Sequence, residues 1–168
     1  MNLIVAADRN WAIGKDRQLL VHIPEDMKMF RRMTIDNVIV MGRKTLESFP
    51  GGKPLPGRVN IVLTRQKDYD GKGAVVVHSR EELWEALAGY DSDRIFVVGG
   101  GDIYSMLLPF CRYAYVTRLD RTYEADTYMP DLDSHPDWVL REAGEESDHS
   151  GLAYRFSLYE NLKVKPRG

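Results

Sequence analysis

Cysteine occurs once, at Cys111, so the chain makes no internal disulfide and offers no cysteine-rich metal set. A buried structural thiol is the expectation for it. The four histidines, His22, His78, His135 and His149, are too far apart for a ligand motif such as H-E-x-x-H, and no metal is expected. Charge of either sign is not in excess: 23 Lys and Arg stand against 25 Asp and Glu, a net −2 that supplies no broad field for nucleic acid or an acidic membrane. Any anionic ligand must therefore be held by a local cluster. No apolar run approaches a membrane span, and Met1-Asn-Leu-Ile-Val-Ala-Ala7 lacks the basic start and longer apolar core of a signal peptide. A cytoplasmic protein is expected. Repeats, low-complexity segments and shifts of composition are also missing, which leaves one domain over 168 residues, expected to act as a monomer.

What is present is an alternation of short apolar runs with helical patterns. Leu3–Ala7, Val38–Met41, Val59–Leu63, Ala74–Val77 and Arg94–Val98 read as strands buried on both faces. Between them lie helical patterns over Pro24–Met33, Gly42–Ser48, a helix opened by the capping box Ser79-Arg-Glu-Glu82, and Asp102–Leu108 closed by Pro109. From Tyr113 onward strands follow one another without helices, at Tyr113–Leu119, Trp138–Glu142 and Leu152–Tyr159. The pattern predicts an α/β single domain with a mostly parallel eight-stranded sheet, an antiparallel C-terminal edge and four flanking helices. Asp8–Leu20, polar and without sustained period, reads as a long loop, the kind that is more often functional than filler.

The helix from Pro24 carries the residue that most needs explaining. Met27, Phe30 and Met33 recur every three residues and predict an apolar stripe, with Asp26 on its edge. A carboxylate turned toward a core must be paired, hydrogen-bonded or used. A first-turn acid meeting the free N–H groups of the helix accounts for Asp26 equally well on local sequence alone.

Other polar residues fall at strand ends, where ligands sit in open α/β sheets. Gly42-Arg43-Lys44-Thr45 places backbone donors and two cations at a helix start, Thr64-Arg65 adds a hydroxyl and a cation, and Gly99-Gly100-Gly101 lets a phosphate approach the backbone. Together they could hold the phosphates of NADPH, although neither G-x-G-x-x-G nor a G-x-x-x-x-G-K-[ST] loop is present. Lys53-Pro-Leu-Pro-Gly-Arg58 is either a rigid turn or an arginine held to grip a substrate carboxylate.

Ile13-Gly14, Pro24-Glu-Asp26 with Phe30, Met41-Gly-Arg-Lys-Thr45 with Glu47-Ser48, Leu55-Pro-Gly-Arg58, Val98-Gly-Gly-Gly-Asp-Ile-Tyr104, Tyr115-Val-Thr117 and Asp126-Thr127 together resemble the bacterial dihydrofolate reductases from end to end. The resemblance implies hydride transfer from NADPH to C6 of dihydrofolate with protonation at N5, in the service of one-carbon metabolism, and binding of antifolate inhibitors. By the same resemblance Asp26 anchors the pterin, supported by the Thr117 hydroxyl, and Ile4, Val5, Met27, Phe30, Phe49 and Val98 line its pocket. Arg58, with Lys53 nearby, meets the glutamate tail. Ala6, Ile13 and Gly14 match the nicotinamide side of the cofactor site. Gly42, Arg43, Lys44, Thr45, Leu63, Thr64, Arg65, Val98, Gly99, Gly100, Gly101, Asp102, Ile103, Tyr104 and Thr127 match its phosphate and adenosine side. The family's Gly-Gly peptide is cis at the place of Gly99-Gly100.

Two departures stand out. Leu19-Leu20-Val21 occupies the place of the family's usual Leu-Pro-Trp or Leu-Pro-Leu, removing a proline and an indole N–H, and Ala125 replaces a common glycine beside Asp126. The nearest alternative is a pyrimidine reductase of riboflavin synthesis with the same fold and cofactor edge. The Pro24–Asp26 and Leu55–Arg58 matches favour folate over it.

Overall fold

A computed structural model describes residues 1–168. Each apolar run becomes a strand and each capped pattern a helix, in the order β1 (Asn2–Ala7), β2 (Ala12–Gly14), α1 (Pro24–Thr34), β3 (Val38–Gly42), α2 (Arg43–Ser48), β4 (Val59–Leu63), β5 (Val75–Val77), α3 (Arg80–Leu87), β6 (Ile95–Gly99), α4 (Gly101–Leu107), β7 (Tyr113–Leu119), β8 (Thr127–Tyr128), β9 (Trp138–Ala143), β10 (Ser147–His149) and β11 (Leu152–Asn161). The main sheet runs β10-β11-β7-β1-β6-β3-β4-β5, with β9 also paired to β11. Its members from β7 to β5 are parallel, and β11 is antiparallel to β7, β9 and β10. Strands β1, β3 and β6 sit in the middle, and Leu3, Val38, Ile39, Val40 and Val97 are wholly buried there, as strands covered on both faces must be. One core packs α3 and α4 against the sheet through Leu83, Leu87, Ile103 and Leu107; the other, around Met29, Ile39, Met41 and Leu46, packs α1 and α2.

Register explains where the sheet opens. β1 and β7 pair over six residues, Asn2 to Ala7, whereas β1 and β6 are in register only at Asn2↔Phe96 and Leu3↔Val97. The two central strands therefore part toward their carboxyl ends. Their divergence creates a crevice between Ile4–Ala6 and Val98–Gly100, the kind of place where open α/β sheets bind ligands.

Several local expectations need correction. The loop Asp8–Leu20 is not devoid of regular structure, because Ala12–Gly14 pairs antiparallel with Thr127–Tyr128 as a separate two-stranded ribbon. Three residues are too few for a periodic signal. The α1 stripe also differs: Met29 takes the buried position, Phe30 and Met33 pack partly against the same core, and Met27 is 37% exposed. A strict three-residue spacing drifts around a helix of 3.6 residues per turn, so Met27 rotates out of the line that Met29 and Met33, four apart, preserve. At α3, Ser79 caps the Glu82 N–H as predicted, but Glu82 accepts from His78 rather than from Ser79.

Candidate active site

α1 enters without a side-chain cap, with Pro24 in its first turn, and this places Asp26 over the carboxyl end of β7. There the buried Thr117 hydroxyl donates to Asp26 Oδ1 at 2.6 Å, across 91 residues of sequence. Burial is the largest influence on the Asp26 carboxyl and raises its pKa above the ordinary value, while the Thr117 hydrogen bond and nearby His22 act in the opposite direction. The first-turn reading of Asp26 is thus incomplete. An acid serving only the helix N-terminus would be held low, and this one is held high.

Around this pair the resemblance's pocket residues divide in two. Ile4 is buried, and Val5, Phe30, Phe49 and Val98 are partly buried, all packed onto the two main cores. Met27 is the exposed member, next to Asp26 in sequence. Tyr104 donates its hydroxyl to the Ile4 carbonyl at 2.8 Å, bridging β1 and α4 where the sheet has parted. Its own pKa is pushed up, first by burial and then by the negative charge of Asp26.

The tail end of the crevice is built by the stiff segment before β4. Asn60 holds it, donating to the carbonyls of Leu55 and Arg58 and accepting the Leu55 N–H. Gly57 turns at φ 75°, and a Cβ there would lie 2.6 Å from Ile35 Cδ1, so glycine is required twice over. Arg58 is half-buried, its Nε without a partner, and burial followed by the neighbouring Arg31 charge lowers its pKa. A second positive charge nearby and a buried donor left open invite a carboxylate. Arg31 and His22 escaped the sequence reading, since each is an ordinary surface residue until the fold sets it beside Arg58 or Asp26.

The opposite edge is mostly backbone. Gly42 precedes α2 and Gly100 precedes α4, neither with a side-chain cap, so first-turn N–H groups stay free at both. Gly99-Gly100 is cis, as the resemblance implies. Gly99 turns at φ 121°, with Thr45 Oγ1 3.5 Å from the position of an added Cβ, and a Cβ on Gly101 would lie 2.6 Å from the Tyr128 carbonyl oxygen. Around them, Leu63 and Ile103 are buried, Thr127 is half-buried and Asp102 is exposed in the first turn of α4. Thr64 is buried and its hydroxyl caps Gln66, while Lys44 and Arg65 are exposed and make no ion pair. Arg43 behaves differently from expectation: it forks onto both oxygens of Glu47 at 2.9 and 3.0 Å, so half of the anticipated cation pair is already engaged inside α2. The exposed cations and open glycine backbone fit a phosphorylated dinucleotide.

A third segment joins the two edges. Asp126 accepts the Asp16 N–H at 2.9 Å and donates its own N–H to Gly14, while Lys15 meets Glu124 at 2.7 Å. The Asp126 carboxyl is held below its usual range, chiefly by the Asp16 N–H. Gly14 itself leaves no room for a side chain, since a Cβ would sit 2.9 Å from the Gln18 carbonyl oxygen. Ala125 does not prevent this contact. Asp8, wholly buried, accepts N–H groups from Asn10 and Ala12 on one oxygen and from Tyr123 on the other. The Asp8-x-Asn10 spacing, an Asx turn, was the available signal for it. Leu19 is exposed at 58%, and Val21 packs partly against Ile23, Leu119, Leu152 and Tyr154.

Comparison with known proteins decides the family. A family profile described as dihydrofolate reductase matches residues 1–161. The chain belongs to the dihydrofolate reductase family. It is 36% identical to the dihydrofolate reductase of Bacillus subtilis, across 100% of this chain and 98% of that one, and 38% identical to that of Neisseria gonorrhoeae, across 95% and 96%. Among solved structures it is similar to a dihydrofolate reductase from Enterococcus faecalis complexed with NADP(H) and RAB-propyl, with a TM-score of 0.84, 34% identity and 95% of each chain covered. Members of the family are NADPH-dependent oxidoreductases, and the parted β1 and β6 of this chain supply the crevice that such chemistry needs.

Proposed function

We propose that Asp26, supported by Thr117, anchors the pterin and assists proton delivery in the NADPH-dependent reduction of 7,8-dihydrofolate to 5,6,7,8-tetrahydrofolate. The observation that carries this is the 2.6 Å Thr117–Asp26 hydrogen bond in a site where burial raises the carboxyl's pKa. NADPH supplies the hydride for C6 of the substrate when bound. The chain's own residues do the rest: the glycine backbone at 99–101 with Lys44 and Arg65 holds phosphates, and Ala6, Ile13 and Gly14 flank the nicotinamide end. Arg58 with Arg31 takes a carboxylate of the glutamate tail, and the apolar walls from Ile4 to Val98 orient the ring and exclude water.

Asp26 accepts hydrogen bonds from the ring's N3–H and 2-amino group, which raises the basicity of the substrate. Its raised pKa keeps a larger fraction protonated near neutral pH than an ordinary aspartate would have, so it can also release a proton toward N5 through water. Thr117 fixes which oxygen faces the ligand. The half-buried Val21 offers no polar atom where the family's indole stands, so the polar side chains near this end are Asp26, Thr117 and His22. Loss of NADPH absorbance with dihydrofolate, its inhibition by an antifolate and no signal with the riboflavin-pathway pyrimidine test the reading; turnover of the pyrimidine alone would overturn it.

A further inference from the structure

Strand β7 continues past Thr117 to Arg118, and successive residues of a strand face opposite sides of the sheet. Thr117 turns to Asp26 on α1, whereas Arg118 turns to Trp11, the residue just before β2. Its guanidinium carbon lies 4.0 Å from the centroid of the Trp11 ring. One terminal nitrogen donates to Asp133 at 2.7 Å and to the Tyr159 hydroxyl at 3.1 Å, and the other donates to the Asp8 carbonyl at 3.3 Å. Nε is buried without an acceptor, so the indole face is the electron-rich group left to it.

Trp11 needs such a clamp. It is buried with φ 62°, a left-handed backbone that bulky residues seldom adopt. Its N–H donates to Asp8, its carbonyl accepts from Met129, and Tyr159 meets its ring edge-on at 5.6 Å. A strained backbone persists only where its surroundings over-determine it, and Arg118 touches the Trp11 ring, Tyr159 and Asp8 together. Directly after Trp11 the chain becomes β2, which holds Ile13 and Gly14.

We propose that Arg118 is a positioning residue for hydride transfer: by clamping the Trp11 ring it sets where Ile13 and Gly14 stand against the nicotinamide. The inference rests on the dihydrofolate reading, in which those two residues flank that end of the cofactor. Adjacent residues of one strand then hold both reactants, Thr117 through Asp26 on the pterin side and Arg118 through Trp11 on the nicotinamide side. β7 pairs with β1 without a break, Ala6↔Thr117 and Ala7↔Arg118, so the two sides share one register. Register matters because misplacing a reacting group by about 1 Å can cost about a hundredfold in rate.

The test measures single-turnover hydride transfer from NADPH to dihydrofolate, with the Kd of each ligand and the Tm alongside. Arg118→Met keeps the length of the side chain and removes its charge and flat face. Hydride transfer should slow about ten- to hundredfold and the NADPH Kd should rise, while the dihydrofolate Kd stays within about twofold. Arg118→Lys retains the charge beside Asp133 and protects the fold, yet should still slow transfer, because an ammonium does not stack flat on an indole. Trp11→Leu should reproduce the loss, and combining it with Arg118→Met should be no slower than the worse single variant. A purely structural role would lower Tm and leave the transfer rate of the folded enzyme alone. That result, a wild-type transfer rate in Arg118→Lys, or losses that multiply in the double variant would overturn the proposal. Wild-type enzyme that binds NADPH and leaves dihydrofolate unreduced would instead count against the dihydrofolate reading, and the NADPH Kd of Arg118→Met would still decide whether Arg118 sets the nicotinamide side.

Discussion

The two edges of the crevice are built on opposite plans. The proposed pterin edge sets one half-buried carboxylate, Asp26, against one buried hydroxyl, Thr117. The proposed cofactor edge is spread over glycine backbone, with cations standing in solvent around it. A single substitution can therefore silence the first edge. The second edge loses function by degrees, unless the substitution strikes a glycine that another backbone touches.

Asp26→Asn is the strongest way to separate the edges. Turnover near neutral pH should fall about 10²- to 10³-fold, the range of lost general-acid assistance, with partial recovery as pH falls and the substrate protonates itself; NADPH affinity should not change. The same variant should be more stable at pH 7. Burial raises the Asp26 pKa in the folded state, so the folded protein holds the extra proton, and stability declines as pH rises from the ordinary carboxylate range through that raised value. Asparagine removes this decline, so the Tm gain should shrink toward zero near pH 4. A variant both inactive and less stable at pH 7 would contradict the pKa assignment.

Gly101→Ala attacks the cofactor edge where it is least tolerant. The new methyl would meet the Tyr128 carbonyl oxygen at 2.6 Å, and overpacking against backbone costs about 1–3 kcal/mol, visible as lower Tm and weaker NADPH binding. Gly42→Ala, whose Cβ would meet only the Ile103 side chain at 3.1 Å, should be milder. Asp8→Asn tests the segment that joins the edges. Turning its amide to Tyr123 would set donor against donor while keeping the turn to Asn10 and Ala12, at a cost of about 1–2 kcal/mol, with faster hydrogen exchange in 9–14 and a raised KM for NADPH. The smallest effect belongs to the exposed cations. Arg65→Ala and Lys44→Ala should each reduce the preference for NADPH over NADH about tenfold without altering the KM for dihydrofolate. An unchanged preference would assign the extra phosphate elsewhere.

The same division decided what could be read before the fold was known. Buried strands such as Val38–Gly42 announced themselves because a sheet covered on both faces selects continuous apolar runs. Asp26 was legible as an oddity, a charge on an apolar edge, and the resemblance supplied its partner. Residues whose importance comes from a neighbour distant in sequence were not legible. Arg31 gains meaning only beside Arg58, Arg43 loses part of its expected role to Glu47, and Asp8 joins Tyr123 across 115 residues. The ribbon between Ala12–Gly14 and Thr127–Tyr128 stayed hidden because strands of three and two residues carry no period.

Thr117 lies on β7, which sits between β1 and β11, the last strand of the chain. On a ribosome adding 5–20 residues each second, the 91 residues between Asp26 and Thr117 take about 5 to 18 s to make, and the Asp26 carboxylate waits that long for its hydroxyl. Even then β7 offers an unpaired edge until Leu152–Asn161 follows. Newly made chains thus carry the Thr117 strand with an open edge, and synthesis rate and chaperone supply become part of how much folded protein a cell obtains.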